Sequence, residues 1–259
     1  MERRPLGTSE VDVPVIGMGT WRTFDTTADR APLVNAALAA GVTLFDSSPM
    51  YGRAELTLAK ALGSRRAEAQ VATKIWTSDS AEGRRQAASA LNLFGHVEIY
   101  QVHNLVAWPE QLALLEELKK ESRVTVIGAT HYQESAFGEL ASVMRTGRLD
   151  MVQIPYNPLR RDAEQELLPL AAELGLGVLV MSPLQGGILD RKPEPAQLRE
   201  LSVTSWPEAV LKWIASDPRI SGVLTATQDL EHLRQNGLAG EPPCFDAAQR
   251  DLVAKIAGA

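Results

Sequence analysis

The sequence predicts an α/β fold in which eight strands and eight helices alternate and close into a single (β/α)8 barrel domain over residues 1–259. Eight short apolar runs recur along the chain, and each is followed by a helical pattern. The runs are almost continuously apolar, which is typical of parallel strands covered on both faces. A length of 259 residues with 45% hydrophobic content also suits one such barrel.

The predicted strands and helices alternate throughout the chain. The strands lie at residues 15–18, 42–45, 71–73, 99–102, 124–127, 151–154, 178–181 and 222–224. The helices lie at residues 31–40, 54–62, 83–93, 109–121, 135–144, 164–174, 206–216 and 230–236. Only the interval between the seventh and eighth strands is unusually long. Its Pro and Gly residues, within 183–195, predict an irregular connection over the active face.

An open doubly wound sheet is the alternative for alternating strands and helices, and two features favour the barrel. Eight units match the strand count of a closed barrel. An open sheet that binds a dinucleotide would carry GxGxxG after its first strand, whereas only Gly17 and Gly19 occur there. Before the first unit, residues 4–11 resemble a short β-hairpin with a Gly-containing turn, which we expect to close the bottom of the barrel.

Charge and composition exclude several classes of function. The net charge is −6 and basic residues form no block longer than a pair, so we expect no nucleic-acid partner. No apolar run approaches the roughly 20 residues that span a bilayer, and no signal-type stretch follows Met1. We therefore expect a cytoplasmic protein without membrane contact. Cys244 is the only cysteine and no Cys/His pair has metal-ligand spacing, so we expect neither a disulfide nor a metal site.

Titratable side chains follow three neighbouring predicted strands. Asp46, Lys74 and His103 come directly after the second, third and fourth apolar runs. In (β/α)8 barrels the working residues project from the C-terminal strand ends, which meet at one face. Any one of these residues alone would be explained as a cap or a turn residue. Their occurrence on adjacent strands, with Tyr51 in the loop after Asp46, instead predicts a shared catalytic site.

This combination of side chains favours proton transfer from a tyrosine. A free phenol has a pKa of about 10, and we expect the nearby Lys74 ammonium to lower the pKa of Tyr51 by favouring phenolate. Asp46 would pair with Lys74 and fix its position. His103 would hydrogen-bond a carbonyl oxygen and orient it beside Tyr51. The sequence offers no metal site and no activated nucleophile, so the electrons for a carbonyl reduction must come from outside the side chains. A bound nicotinamide would supply them as hydride.

Seven stretches occur in an order that resembles the aldo-keto reductase superfamily over nearly the whole chain. They are GMGTW (17–21), FDSSPMYG (45–52), TK (73–74), QVH (101–103), IGAT (127–130), VQIPYN (152–157) and SPLQGG (182–187). The Asp-to-Tyr stretch with its downstream Lys and His is the most specific part. The resemblance implies a barrel enzyme that reduces aldehydes or ketones with NADP(H), or catalyses the reverse oxidation, with Tyr51 as general acid/base.

The resemblance also assigns residues to the cofactor and to a small-molecule carbonyl substrate. The implied cofactor-binding residues are Gly19, Thr20, Trp21, Asp46, Thr130, Gln153, Met181, Ser182, Leu184, Gly186, Thr225, Ala226, Thr227, His232, Gln235 and Asn236. The implied substrate pocket is lined by Trp21, Tyr51, Trp76, His103 and Trp108. Residues 224–236 resemble the family's adenosine-phosphate clamp, in which a strand end and a helix N-terminus present N–H groups to anions.

The sequence departs from the family pattern at four places. The usual Ser-Asn pair is Thr130-His131, and the aromatic residue that often stacks on the nicotinamide corresponds to Met181. Ala226, Thr227 or Gln228, and His232 stand where basic residues commonly hold the 2′-phosphate, with Asp229 alongside, so NAD(H) is a second possibility. Compared with the family, the loop after the seventh strand and the tail after residue 236 are short, which predicts an open substrate pocket.

Two other functions use the same barrel. A cofactor-binding regulatory or scaffold subunit would keep the fold while its catalysis is vestigial. Lys74 could instead form a Schiff base with a carbonyl substrate, but Asp46 and Tyr51 would then lack a clear role. The intact set of four residues favours the reductase.

Overall fold

The computed structural model describes residues 1–259, and its centre is a closed barrel of eight parallel strands. The ten strands of the chain are β1 (Arg3–Pro5), β2 (Asp12–Pro14), β3 (Ile16–Gly19), β4 (Leu44–Asp46), β5 (Gln70–Ile75), β6 (Val97–His103), β7 (Val124–Thr130), β8 (Met151–Pro155), β9 (Gly177–Met181) and β10 (Gly222–Thr225). Strands β3 to β10 pair in chain order, and β10 closes the barrel against β3. This arrangement confirms the predicted (β/α)8 fold.

The helices surround the barrel and bury its outer face. They are α1 (Ala31–Ala39), α2 (Ala54–Leu62), α3 (Ser80–Phe94), α4 (Trp108–Lys120), α5 (Phe137–Met144), α6 (Leu167–Leu174), α7 (Pro195–Glu200), α8 (Trp206–Ala215), α9 (Leu230–Leu238) and α10 (Ala247–Ala257). Outward-facing strand residues and inward-facing helix residues form one cluster of 65 buried side chains. None of the helices combines the length and the apolar composition needed to cross a bilayer.

The interior of the barrel changes from apolar to polar along the strands. An interior cluster is formed by Leu44, Ala72, Ile99, Val126, Met151, Leu179 and Leu224, together with Leu6 and Val13 from the N-terminal segment. Residues two apart in a strand share a face. Two residues beyond Leu44, Ala72 and Ile99, the same inward face therefore carries Asp46, Lys74 and Gln101. The alternation stacks a layer of polar side chains on the interior cluster, at the C-terminal mouth of the barrel.

An antiparallel hairpin of β1 and β2 covers the opposite end of the barrel, as predicted. Leu6 and Val13 of the hairpin segment belong to the interior cluster and are fully buried. Gly177 at the start of β9 permits this approach, because a Cβ there would collide with Leu6. Arg4 fastens the hairpin to the end of α8, since its Nη1 donates to the backbone oxygen of Ala215 at 2.6 Å. The N-terminal end of the barrel is thus closed.

Two helices, α7 and α10, lie where the apolar pattern predicts none. Each begins with a capping box, in which an acidic N-cap is followed three residues later by Gln: Glu194 with Gln197, and Asp246 with Gln249. The connection after β9 is consequently less irregular than predicted. A smaller difference occurs in the predicted helix 135–144, whose first residues belong to a 3₁₀ turn (Glu134–Ala136) ahead of α5.

Candidate active site

Asp46, Lys74 and His103 end or nearly end the adjacent strands β4, β5 and β6, and the structure brings them together. The Lys74 Nζ donates to both Asp46 carboxylate oxygens at 2.7 Å and to the backbone oxygen of Ser47 at 2.8 Å. Lys74 is 1% exposed and Asp46 is 3% exposed. The pair therefore fixes an ammonium group inside the polar layer at the mouth of the barrel.

Lys74 is charged at neutral pH. Burial disfavours the ammonium, but the Asp46 carboxylate, the Tyr51 phenol and their hydrogen bonds together raise the pKa of Lys74 above its usual value. A Schiff base requires a neutral amine as nucleophile. The geometry and charge of this pair thus argue against the aldolase alternative.

Tyr51 ends a one-turn 3₁₀ helix that follows β4. The Ser48 side chain caps this turn, and Gly52, with a φ of 62°, reverses the chain into α2. The Lys74 Nζ lies 5.3 Å from the centroid of the Tyr51 ring, and the Trp21 ring meets it edge-on with centroids 5.0 Å apart. The loop after β4 therefore places the phenol over the Lys74–Asp46 pair.

The pKa of Tyr51 differs in direction from the sequence expectation. Burial is the largest effect and raises the pKa of the phenol above its usual value. Lys74 lowers that pKa, as expected, while the charge of Asp46 raises it. Desolvation outweighs the ammonium, so the phenol carries its proton at neutral pH and is a donor rather than a phenolate.

His103 ends β6 beside the phenol. Its ring is nearly perpendicular to that of Tyr51, with centroids 5.8 Å apart. Burial, followed by the charges of Lys74 and His131, lowers the pKa of His103 to about 3. Its Nδ1 lies 2.9 Å from the Oγ of Ser48. The imidazole is thus uncharged at neutral pH and has one N–H to donate.

The lowered pKa of His103 predicts that the protein loses stability in acid. A histidine in the unfolded chain takes up a proton near pH 6.5, whereas folded His103 does so only near pH 3. Between these values the unfolded chain binds more protons, so the free energy of unfolding falls as the pH falls. We expect denaturant titrations of His103→Gln to show a shallower decline below about pH 6.5 than the native sequence. The exposed His232 provides the control variant His232→Gln, and equal slopes for all three proteins would contradict the prediction.

Two buried side chains next to His103 carry polar atoms without a partner. Thr130 of β7 is in register with His103 on one side and with Gln153 of β8 on the other. The Thr130 Oγ1 and the Gln153 Oε1 are buried and form no hydrogen bond. A buried unpaired polar group costs about 1–3 kcal/mol. A primary carboxamide would satisfy both atoms, so these residues fit the nicotinamide group that the resemblance implies.

The residues expected to follow the ring and the pyrophosphate lie at the end of β9 and in the loop beyond it. Met181 is in register with Pro155 of β8, at the mouth of the barrel. Ser182 and Gly186 have positive φ values of 55° and 79°, so the chain turns sharply on both sides of Leu184. A cavity of about 370 Å³ opens beside this loop and is lined in part by Ser182.

The predicted adenosine-phosphate clamp lies at the end of β10 and in the first turn of α9. Asp229 caps this helix, and its Oδ1 accepts from the backbone N–H groups of Glu231 at 2.8 Å and His232 at 3.0 Å. Arg234 is paired with Glu231 at 2.6 Å. The other residues expected here are buried Thr225 and Asn236, half-buried Thr227 and Gln235, and exposed Ala226. A carboxylate thus occupies the helix N–H groups that the clamp would present to a phosphate.

Sequence reasoning did not identify two residues as part of this site, namely Gln101 and Ser48. The Gln101 Nε2 lies 3.5 Å from the Asp46 Oδ1, and its Oε1 is buried without a partner. The signal for Gln101 is its position two residues before His103, on the same inward face.

Thr20, which the family resemblance assigns to the cofactor, donates its hydroxyl to the Ser47 Oγ at 2.9 Å and so stabilises the loop after β4.

The three tryptophans of the predicted substrate pocket occupy different positions. Trp21 is 39% exposed and contacts the Tyr51 ring. Trp76 follows β5 and is 42% exposed, whereas Trp108 begins α4 and packs partly against the core. Neither of these two makes a ring contact with Tyr51. The structure therefore places Trp21 next to Tyr51, whereas Trp76 and Trp108 could line only a more distant wall of the substrate pocket.

Comparisons with known proteins agree on one family. Residues 15–256 match the sequence model of the Aldo/keto reductase family. The chain is 30% identical over 228 residues to the NADH-specific methylglyoxal reductase of Escherichia coli (strain K12), with 73% of this chain and 69% of that protein covered. It is 28% identical over 217 residues to an aldo-keto reductase of Mycobacterium sp. (strain KMS), with 78% and 75% covered. The holo form of aldo-keto reductase AKR11C1 from Bacillus halodurans has the same fold, with a TM-score of 0.78 at 24% identity over 99% of this chain and 96% of that one.

Proposed function

Because the chain belongs to the aldo/keto reductase family, we propose that it reduces aldehydes or ketones to alcohols, with a nicotinamide dinucleotide as hydride donor and Tyr51 as proton donor. Membership of the family implies oxidoreductase activity on carbonyl groups. The observation that carries the finer proposal is the buried Lys74–Asp46 ion pair beneath the protonated phenol of Tyr51.

Each member of the set supports one part of the reaction. Tyr51 donates its proton to the carbonyl oxygen, which becomes the hydroxyl of the alcohol. The Lys74 ammonium stabilises the phenolate that remains, and Asp46 holds that ammonium in place. The uncharged His103 donates an N–H to the same carbonyl oxygen and orients it. When bound, the nicotinamide supplies the hydride for the carbonyl carbon.

The nicotinamide end of the cofactor would be held by the residues with unpaired atoms. The Gln153 Oε1 can accept from the carboxamide NH₂, and the Thr130 hydroxyl can donate to its oxygen. The loop of Met181, Ser182 and Leu184 would lie along the ring and the pyrophosphate, as the family resemblance implies. These roles account for two buried polar atoms that have no partner within the protein.

At the adenosine end, the carboxylate of Asp229 favours a dinucleotide without a 2′-phosphate. The hydrogen bonds from His232 and Glu231 lower the pKa of Asp229, so this residue is a carboxylate at neutral pH. A 2′-phosphate placed at this helix N-terminus would meet that charge, whereas a 2′-hydroxyl could donate to it. The Escherichia coli relative is NADH-specific by name. We therefore propose NADH as the preferred donor, although the resemblance by itself implies NADPH.

Replacing Asp229 tests this preference. We expect NADH to bind more tightly than NADPH to the native sequence. In Asp229→Ser, where the serine can still cap α9, we expect the ratio of the two Kd values to move closer to one. Removing one solvent-exposed charge should change the ratio about fivefold. Titrations that follow the tryptophan fluorescence of the protein, to which Trp21 beside Tyr51 contributes, measure both Kd values. The control is Asp246→Ser at the cap of α10, where the Oδ1 accepts from Gln249 at 2.8 Å. Tighter binding of NADPH to the native sequence would contradict the proposal.

The activity itself is tested by turnover. Purified protein should oxidise NADH or NADPH in the presence of a panel of aldehydes and ketones, including methylglyoxal, which the Escherichia coli relative is named for. One alcohol should form for each cofactor oxidised. Saturable cofactor binding without turnover across the panel would instead support the regulatory or scaffold alternative.

A further inference from the structure

The hydroxyl of Ser48 is buried between two polar neighbours. Ser48 is 0% exposed, and its Oγ lies 3.2 Å from the Met50 backbone N and 2.9 Å from the His103 Nδ1. The Met50 N–H can only donate, so the Ser48 oxygen accepts that bond and its own hydrogen needs a different acceptor. The His103 Nδ1 is the acceptor within reach. A buried hydroxyl hydrogen left unpaired would cost free energy, which favours donation to that nitrogen.

We propose that Ser48 is a positioning residue that fixes the tautomer of His103, with the ring hydrogen on Nε2. This inference rests on the proposed function, in which His103 donates to a carbonyl oxygen beside Tyr51. A neutral imidazole has one donor nitrogen and one acceptor nitrogen. With Nδ1 occupied by the Ser48 hydrogen, Nε2 carries the N–H. The opposite tautomer would turn the lone pair of Nε2 toward the carbonyl oxygen and repel it.

The tautomer matters because His103 is held uncharged. The residue is 6% exposed, and Lys74 and His131 both disfavour a positive charge on its ring. A protonated ring would carry hydrogens on both nitrogens and could donate from either one. A neutral ring needs a partner that selects between them. Ser48 is that partner.

Ser48 also joins the two donors of the site. Its Oγ caps the 3₁₀ turn that ends in Tyr51, and the same atom contacts His103 on β6. One hydroxyl group therefore links the loop of the proton donor to the strand of the hydrogen-bond donor. Loss of this group should disturb orientation at the carbonyl oxygen and leave the cofactor-binding residues in place.

The direct test is the nitrogen NMR spectrum of the full-length, ¹⁵N-labelled protein. In the native sequence at neutral pH, long-range proton–nitrogen correlations should show His103 with a bare Nδ1 and a protonated Nε2. His103→Gln identifies the signal by removing it. A hydrogen on the Nδ1 of His103 in the native sequence would overturn the inference. This readout needs no substrate, so it can fail or succeed independently of the proposed reductase activity.

Variants of Ser48 provide the second test. We expect Ser48→Ala to give a mixture of both tautomers and about a tenfold fall in kcat/KM, with the cofactor Kd unchanged. Ser48→Thr keeps a hydroxyl and should restore the Nε2–H tautomer and most of the activity. The matched control is Ser221→Ala at the closed end of the barrel, where a buried hydroxyl donates to the Pro5 oxygen at 3.0 Å. A pure Nε2–H tautomer in Ser48→Ala would refute the role of the hydroxyl, and if that variant does not fold, the native and Ser48→Thr spectra decide.

Discussion

Tyr51→Phe is expected to lower kcat for carbonyl reduction by about 10²- to 10⁴-fold while cofactor binding stays intact. The substitution removes the proton that the proposed reaction delivers to the carbonyl oxygen. It keeps the ring that meets Trp21 edge-on and lies close to Lys74, so the packing of the loop should not change. Steady-state kinetics and a fluorescence titration with NADH measure the two quantities separately.

Tyr100→Phe is the matched control for this experiment. Tyr100 is also a barrel tyrosine and is fully buried, and its hydroxyl has no hydrogen-bond partner. It faces the helical layer, within the large cluster between strands and helices, so the loss of its hydroxyl should leave turnover unchanged. Equal rates for Tyr51→Phe and the native sequence would remove Tyr51 as proton donor. Equal losses in both variants would point to a general effect of removing a buried phenol.

The second large effect is expected from Lys74→Met. Removing the ammonium leaves the Asp46 carboxylate buried and unpaired, which should lower the free energy of unfolding by about 3–5 kcal/mol. Turnover should fall as well, because the phenolate of Tyr51 loses its positive neighbour. Urea titrations measure the stability, and assays under conditions in which the variant remains folded measure the turnover.

Two comparisons test whether the loss of stability comes from breaking the buried ion pair rather than from the loss of any charge. The double variant Lys74→Met/Asp46→Asn lacks both charges. Its loss in the free energy of unfolding should be smaller than the sum of the losses in the two single variants. The pair of Lys119 and Asp150, with a separation of 2.6 Å, is more exposed to solvent, so Lys119→Met should cost at most about 1 kcal/mol. Strict additivity in the double variant would show that the two buried groups are not coupled.

The catalytic candidates could be predicted from the sequence because the barrel topology largely determines where their side chains lie. Asp46, Lys74 and His103 follow apolar runs on adjacent strands, and closure of the barrel brings such strand ends together. The direction of the Tyr51 pKa could not be predicted in this way. It depends on how strongly packing desolvates the phenol, and no residue spacing reports that quantity.

Predictions that depend on hydrogen-bond direction also required the structure. The sequence has an acid at position 229 within the expected clamp, but only the geometry shows that its carboxylate uses the first N–H groups of α9. The same holds for Ser48, which is one of two adjacent serines in the loop. Ser47 contacts Thr20, whereas Ser48 contacts His103, and the sequence does not distinguish these neighbours.

The closed end of the barrel affects where the chain can be cut for expression. The family sequence model begins at residue 15, after both strands of the hairpin. A chain truncated at that boundary would lose Leu6 and Val13 and would leave Leu44 and Met151 of the interior cluster facing water. Exposed apolar surface of this kind promotes aggregation. The segment that the family sequence model matches is therefore shorter than the segment that must be produced to obtain a well-behaved protein.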